Sequence, residues 1–158
     1  MTEAFQEYQL KVAGTNIDPR SLLSTDYFNH FSTVIMLLGM LAEAPELLDE
    51  IDQWTYISYC DHFRDSGLDF APLAIAAYAH VPPAVLQKFE RKMEEIRTFI
   101  EISRLGLRQV LVSGETGRFA EMAKRIARDM QAMVDEGGAI VHGSDDAMDQ
   151  DAVNKLFD

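Results

Sequence analysis

Two acid–histidine pairs are the residues of this chain best equipped for chemistry: Asp26 with His30, four apart, and Asp61 with its neighbour His62. Carboxylate and imidazole together form a mixed donor set for a divalent cation, and helical bundles build such sites from side chains on facing helices. Carboxylate bundles of that kind carry paired Glu-x-x-His segments, and this sequence has none. Both histidines also sit among aromatics, in Tyr27-Phe28-Asn29-His30-Phe31 and Tyr59-Cys60-Asp61-His62-Phe63. Such surroundings suit half-buried, hydrogen-bonded imidazoles. A metal- or small-ligand-binding bundle using Asp26, His30, Asp61 and His62 is therefore the alternative expectation, and no cofactor held by this chain is the first. His30 as a phosphate acceptor lacks a nearby Lys or Arg to steady the phosphoryl group. Cys60, in a tyrosine-rich helix, reads as a small core residue rather than a thiolate nucleophile. Gly114-Glu115-Thr116-Gly117 is too short for a phosphate loop and lacks its Gly-Lys-Ser/Thr ending.

The elements that must hold these residues are all helical. Residues 1–20 are weakly patterned, punctuated by Gly14 and Pro19, and read as an N-terminal arm or extended lead-in. Ser24 or Thr25 can cap a first helix, and Tyr27, Phe31, Val34, Ile35, Leu38, Leu41 and Ala42 then keep the 3.6-residue period up to Pro45. Pro45 suits the first turn of a second helix through Leu47, Leu48, Ile51 and Trp54. Shorter helices follow over Ile57–Arg64 and Ala71–His80, and Pro82-Pro83 marks a sharp joint. Beyond it, Phe89, Met93, Ile96, Ile100, Ser103, Leu107 and Val110 alternate four and three apart, a heptad-like seam. The turn Ser113–Gly117 precedes a returning stripe, Phe119, Met122, Ile126, Met130, Met133 and Val134. Two such arms predict an antiparallel hairpin over 84–136 that ends at Gly137-Gly138, with Ala139–Val141 the only stretch able to form a strand. The predicted fold is an all-α bundle, residues 21–142, with short helices over 24–80, the long hairpin, and a flexible tail over 143–158 carrying a short helix.

Bulk properties narrow the partners. A chain of 158 residues with 47% apolar content can bury a core as one domain. Its net charge of −12, with 14 basic against 26 acidic residues, excludes nucleic acid as an expected partner. A basic protein surface is the better match. The single cysteine fits a reducing cytoplasm. No secretory leader is expected over Met1–Pro19, and the longest apolar run, Val34–Ala42, is far shorter than the roughly 20 residues that span a bilayer. The heptad-like seam also raises the expectation of a homodimer through the hairpin.

The tail is the most narrowly patterned segment. Val153, Leu156 and Phe157 fall on one helix face, and Asp151, Asn154 and Lys155 turn away from it. Asp149 can cap the free amides, and Met148 can pack against Val153 as a hydrophobic staple. About eight residues do not hold a helix in water, because isolated helices below about 12–15 residues are marginal. A partner groove would have to supply the missing stability.

Residues 148–158 resemble the peptide that bacterial chemotaxis and flagellar-switch proteins present to the response regulator CheY. Both the C-terminus of the CheZ phosphatases and the N-terminus of the FliM switch proteins follow one pattern: small or acidic residue, Gln, two variable positions, Ile/Val, Asp, one variable position, Leu, Leu/Phe. Here Asp149, Gln150, Val153, Asn154, Leu156 and Phe157 take those places in order, with Asn154 departing from the family's Asp. The resemblance implies a cytoplasmic chemotaxis or two-component signalling protein that binds a CheY-like receiver, as a CheZ-like phosphatase or a regulator of one. For a phosphatase it further implies an acid and a Gln four apart on a helix, acting on an aspartyl phosphate whose Mg sits on the partner. Asp49 and Gln53 reproduce that spacing, though outside the hairpin where the family would place them. Within the hairpin, Gln109 and Gln131 have no acid four residues before them.

Overall fold

The computed structural model describes residues 2–143; the docking helix expected over 148–158 lies outside them. The described residues form seven α-helices and no strand: α1 Glu3–Lys11, α2 Asn29–Met40, α3 Leu48–Gln53, α4 Tyr59–Ser66, α5 Ala71–Tyr78, α6 Pro83–Ser113 and α7 Thr116–Val141. Short 3-10 turns, Thr25–Phe28 and Pro45–Leu47, lead into α2 and α3. The all-α reading and the long antiparallel hairpin of α6 and α7 are shown. The contacts divide into two compact units. One holds residues up to Tyr27, then Ser58–Arg91 and the chain from Glu136; the other holds Phe28–Ile57 and Lys92–Asp135.

In the first unit, the extended lead-in expected over 1–20 is corrected by α1. Thr2 accepts the Phe5 amide at 3.1 Å as an N-cap, Glu3 and Lys11 suit the two ends of the helix dipole, and Phe5, Val12 and Ile17 are buried. Only Phe5 is buried within α1 itself, so the segment shows almost no apolar period. Leu22 adopts the left-handed conformation (φ 64°), a strained state for a leucine, and is fully buried. Two backbone bonds hold that loop, Leu22 N–H to Asp18 O at 2.7 Å and Asp18 N–H to Leu23 O at 2.8 Å.

Helix α4 starts on the Ser58 cap and ends at Gly67, whose φ of 71° only glycine adopts without cost. Between them Tyr59 and Phe63 enter an aromatic cluster with Tyr27, Phe70, Tyr78 and Phe89. The Tyr59 hydroxyl accepts the buried Ser24 amide at 2.8 Å, and burial drives its pKa well above the phenol range. Helix α7 continues through Gly137-Gly138, where the hairpin was expected to stop, and Ala139–Val141 is its last turn rather than a strand. Two helical glycines cost about 1 kcal/mol each relative to alanine. Burial of Ile140 and Val141 just beyond them offsets that cost.

The Asp18 carboxylate ties the loop after α1 to the residue just beyond α7. It accepts the Arg20 amide at 2.8 Å, Arg20 Nη2 at 3.0 Å and His142 Nδ1 at 2.9 Å. Partial burial opposes its ionisation, but the bonds from Arg20 and His142 outweigh that and hold its pKa at about 2 against an ordinary 3.8. A depressed carboxyl stabilises the fold above the unfolded value and loses that contribution as pH falls through the folded one. Asp18→Asn should therefore cost about 1 kcal/mol at pH 7, allowing for solvent screening around Arg20 and His142. Urea unfolding should show the deficit shrinking between pH 4 and pH 2, and a pH-independent deficit would refute the linkage.

In the second unit, α2 and α3 cover the hairpin segments of α6 and α7. Phe31, Val34, Leu38, Leu48 and Ile51 are buried, as are Ile96, Ile100, Leu107 and Val110 of α6 and Phe119, Ile126 and Met130 of α7. A Cβ at Gly106 would stand 2.8 Å from the Met122 terminal methyl, the movable end of a flexible side chain on the facing helix. Gly114, with φ 79°, makes the turn. The heptad-like seam is thus spent inside the chain itself, and the apolar positions left outward on α6 are Ile102, Leu105 and Val112.

Candidate functional site

A cleft of about 670 Å³ lies in the second unit, between the end of α3, residues 54–56 and one face of α6. Ligand clefts run to roughly 300–1,000 Å³. Its lining is Asp52, Trp54, Thr55 and Tyr56 from the first segment, with Arg97, Glu101, Arg104, Leu105 and Arg108 from α6. Positions 97, 101, 104 and 108 recur at four, three and four residues, so they fall along one side of the helix.

Helix α3 is only six residues long, and its last carbonyls need donors from elsewhere. Arg104 supplies them: Nη1 donates to Ile51 O at 3.0 Å and Trp54 O at 2.8 Å, and the guanidinium lies 5.9 Å from the Trp54 ring. A cation at that end also complements the helix dipole. Trp54 is fixed from its other contacts. Its Nε1 donates to His30 O at 3.0 Å, and its ring stacks on His30 at 4.6 Å. His30 Nε2 in turn donates to Thr55 O at 2.8 Å, which defines it as the protonated nitrogen. Phe31 supports Trp54 and Tyr56 at 5.8 and 6.3 Å.

Arg108 bonds both Asp49, at 3.0 Å, and Asp52. The acid of the Asp49/Gln53 pair is therefore already engaged by a guanidinium, while Gln53, the last residue of α3, is exposed. Arg97 is placed differently. It lies over the Tyr56 ring at 5.1 Å, and its Nε stands 3.6 Å from Glu101, beyond a normal hydrogen bond.

The structure does not gather the acid–histidine pairs into a metal centre. Among the described residues, no group of three or more His, Cys, Asp or Glu side chains could hold an ion. Asp26 is bonded by the Ser24 hydroxyl at 2.8 Å, Asp61 pairs with Arg64, and His30 belongs to the Trp54 stack. His62 packs edge-on against Tyr27 and Phe63. Burial pushes its pKa down, with Asp26 partly opposing that, so the ring is neutral near pH 7. Burial likewise raises the Cys60 thiol, which keeps it protonated. The residues of the docking peptide, Met148, Asp149, Gln150, Val153, Asn154, Leu156 and Phe157, all lie outside the described residues.

The arginine–aromatic cleft was not anticipated from the sequence. The signal existed in the helical spacing of Arg97, Arg104 and Arg108, set against a chain with 14 basic residues in all. No family model, no curated protein and no solved structure matches this chain.

Proposed function

We propose that this chain captures a CheY-like response-regulator receiver through residues 148–158, in bacterial chemotaxis or two-component signalling. The observation that carries this reading is the sequence pattern Asp149, Gln150, Val153, Asn154, Leu156, Phe157. Val153, Leu156 and Phe157 would enter an apolar groove, with Gln150 and the acidic flank setting orientation. The tether would then raise the local receiver concentration around the bundle. The excess of acidic residues fits a basic partner surface, and the single cysteine fits a reducing cytoplasm. No described helix is long and apolar enough to cross a membrane.

A capture role, rather than dephosphorylation by the bundle itself, is the form of the proposal. Asp49 holds Arg108 and is not free to engage a partner's lysine without giving up that pair. In a phosphatase reading the Mg would reside on the receiver. A homodimer remains compatible with the reading, but it would use Ile102, Leu105 and Val112 rather than the buried seam.

Leu156→Ala tests the proposal. Truncating an interface anchor should weaken binding to the cognate receiver by about 1–3 kcal/mol. Calorimetric titration against the host's receiver domains, with and without an acyl-phosphate mimic, measures it, and an unchanged isotherm rejects the role of Leu156.

A further inference from the structure

We propose that the cleft between residues 52–56 and α6 binds a small organic anion, a carboxylate or phosphate carried on a flat apolar group. Three observations converge on it, and none depends on the receiver reading. The first is charge. The lining carries three arginines against the carboxylates of Asp52 and Glu101, on a chain whose overall charge is −12. Asp49 adds a further carboxylate beside it, but that group is bonded to Arg108.

The second is the division of labour among the arginines. Arg104 is spent on the carbonyls closing α3, and Arg108 on Asp49 and Asp52. Arg97 has no such duty: among the described residues its terminal nitrogens donate to nothing, and its side chain is 48% exposed. The guanidinium lies over the Tyr56 ring at 5.1 Å, and its unbonded terminal nitrogens can take a bidentate acceptor, the geometry in which Arg binds carboxylate and phosphate best. The hydroxyls of Thr55 and Tyr56 line the same cleft and likewise have no hydrogen-bond partner among the described residues. They are further donors for the same anion.

The third is the apolar wall. Trp54 and Tyr56 are held by Phe31, and Leu105, at 67% exposure, lines the same cleft. Trp, Tyr and Arg together are the residue types that concentrate binding energy at recognition sites. A flat hydrophobic body would cover this wall while its charged end meets Arg97. The cost of taking the anion out of water is then met by direct donors.

Trp54 is the only tryptophan in the chain, so its emission reports on this cleft alone. The full-length protein is titrated with benzoate and with phenyl phosphate, alongside inorganic phosphate and neutral benzyl alcohol. Saturable change is expected with at least one aryl anion, the two arms telling a carboxylate from a phosphate. Inorganic phosphate and benzyl alcohol should each bind at least about tenfold more weakly, because each supplies half of the recognition. Arg97→Gln should weaken the aryl anion about tenfold or more, and Tyr56→Phe by a smaller factor, both with unchanged circular dichroism. Arg118→Gln, on the exposed start of α7, should change nothing. The proposal is overturned if neither aryl anion saturates by about 20 mM, if benzyl alcohol matches them, or if Arg97→Gln binds as the parent does.

Discussion

Phe31→Ala should lower the unfolding free energy by about 3–5 kcal/mol, the usual cost of emptying a buried aromatic site. For a chain of this size that corresponds to a melting temperature roughly 6–20 °C lower. Phe31 is wholly buried and packs against the rings of Phe28 at 6.3 Å, His30 at 5.5 Å, Trp54 at 5.8 Å and Tyr56 at 6.3 Å. Trp54 and His30 are pinned by hydrogen bonds to backbone carbonyls, so these two have little freedom to collapse into the space. A cavity that cannot close is the expensive kind. Native-state Trp54 emission should also shift to longer wavelength, because the ring loses one supporting face. Guanidinium unfolding measures the first effect. A loss below about 1 kcal/mol would show that the cluster is loosely packed.

Deleting residues 147–158 should abolish receiver binding while leaving the melting temperature nearly unchanged. The segment supplies all three expected anchors, Val153, Leu156 and Phe157. Each is worth about 1–3 kcal/mol at an interface, so losing them together removes affinity by well over a hundredfold. The described core stands without them, since every buried residue it contains lies at or before Val141. Calorimetric titration and thermal melts on the shortened chain report the two quantities separately. Undiminished binding would transfer the recognition role to the bundle and defeat the proposed function. The Trp54 response to aryl anions should survive the same deletion, which keeps the two proposals apart.

Much of the helical frame was legible because each long helix repeats its apolar residues with a clear period. Ile96, Ile100, Leu107 and Val110 on α6, and Phe119, Ile126 and Met130 on α7, are buried as their spacing requires. The hairpin turn followed from Gly114. Elements held by capping and by distant partners were harder to see. Helix α1 rests on the Thr2 cap and a single buried side chain, which is too little to mark a period. The continuation of α7 past Gly137-Gly138 is set by what Ile140 and Val141 pack against, and local propensity argued the other way. The site shows the same split. The aromatic surroundings of His30 and His62 predict half-buried, hydrogen-bonded imidazoles, and both are: His30 bonds the Thr55 carbonyl and His62 the backbone at Asp26. That Arg104 would close α3 depends on residues some fifty positions apart in the chain.

The interleaving of the two units has a practical corollary. The chain passes from one to the other after Tyr27, after Ile57, after Arg91 and after Asp135, so each is assembled from discontinuous stretches. Neither half can be cloned as a contiguous fragment, and a nonsense codon anywhere before the final helical turns deprives the opening segment of Ile140 and Val141. Dissection by subcloning cuts through both units, and point substitution is the workable genetics for this protein.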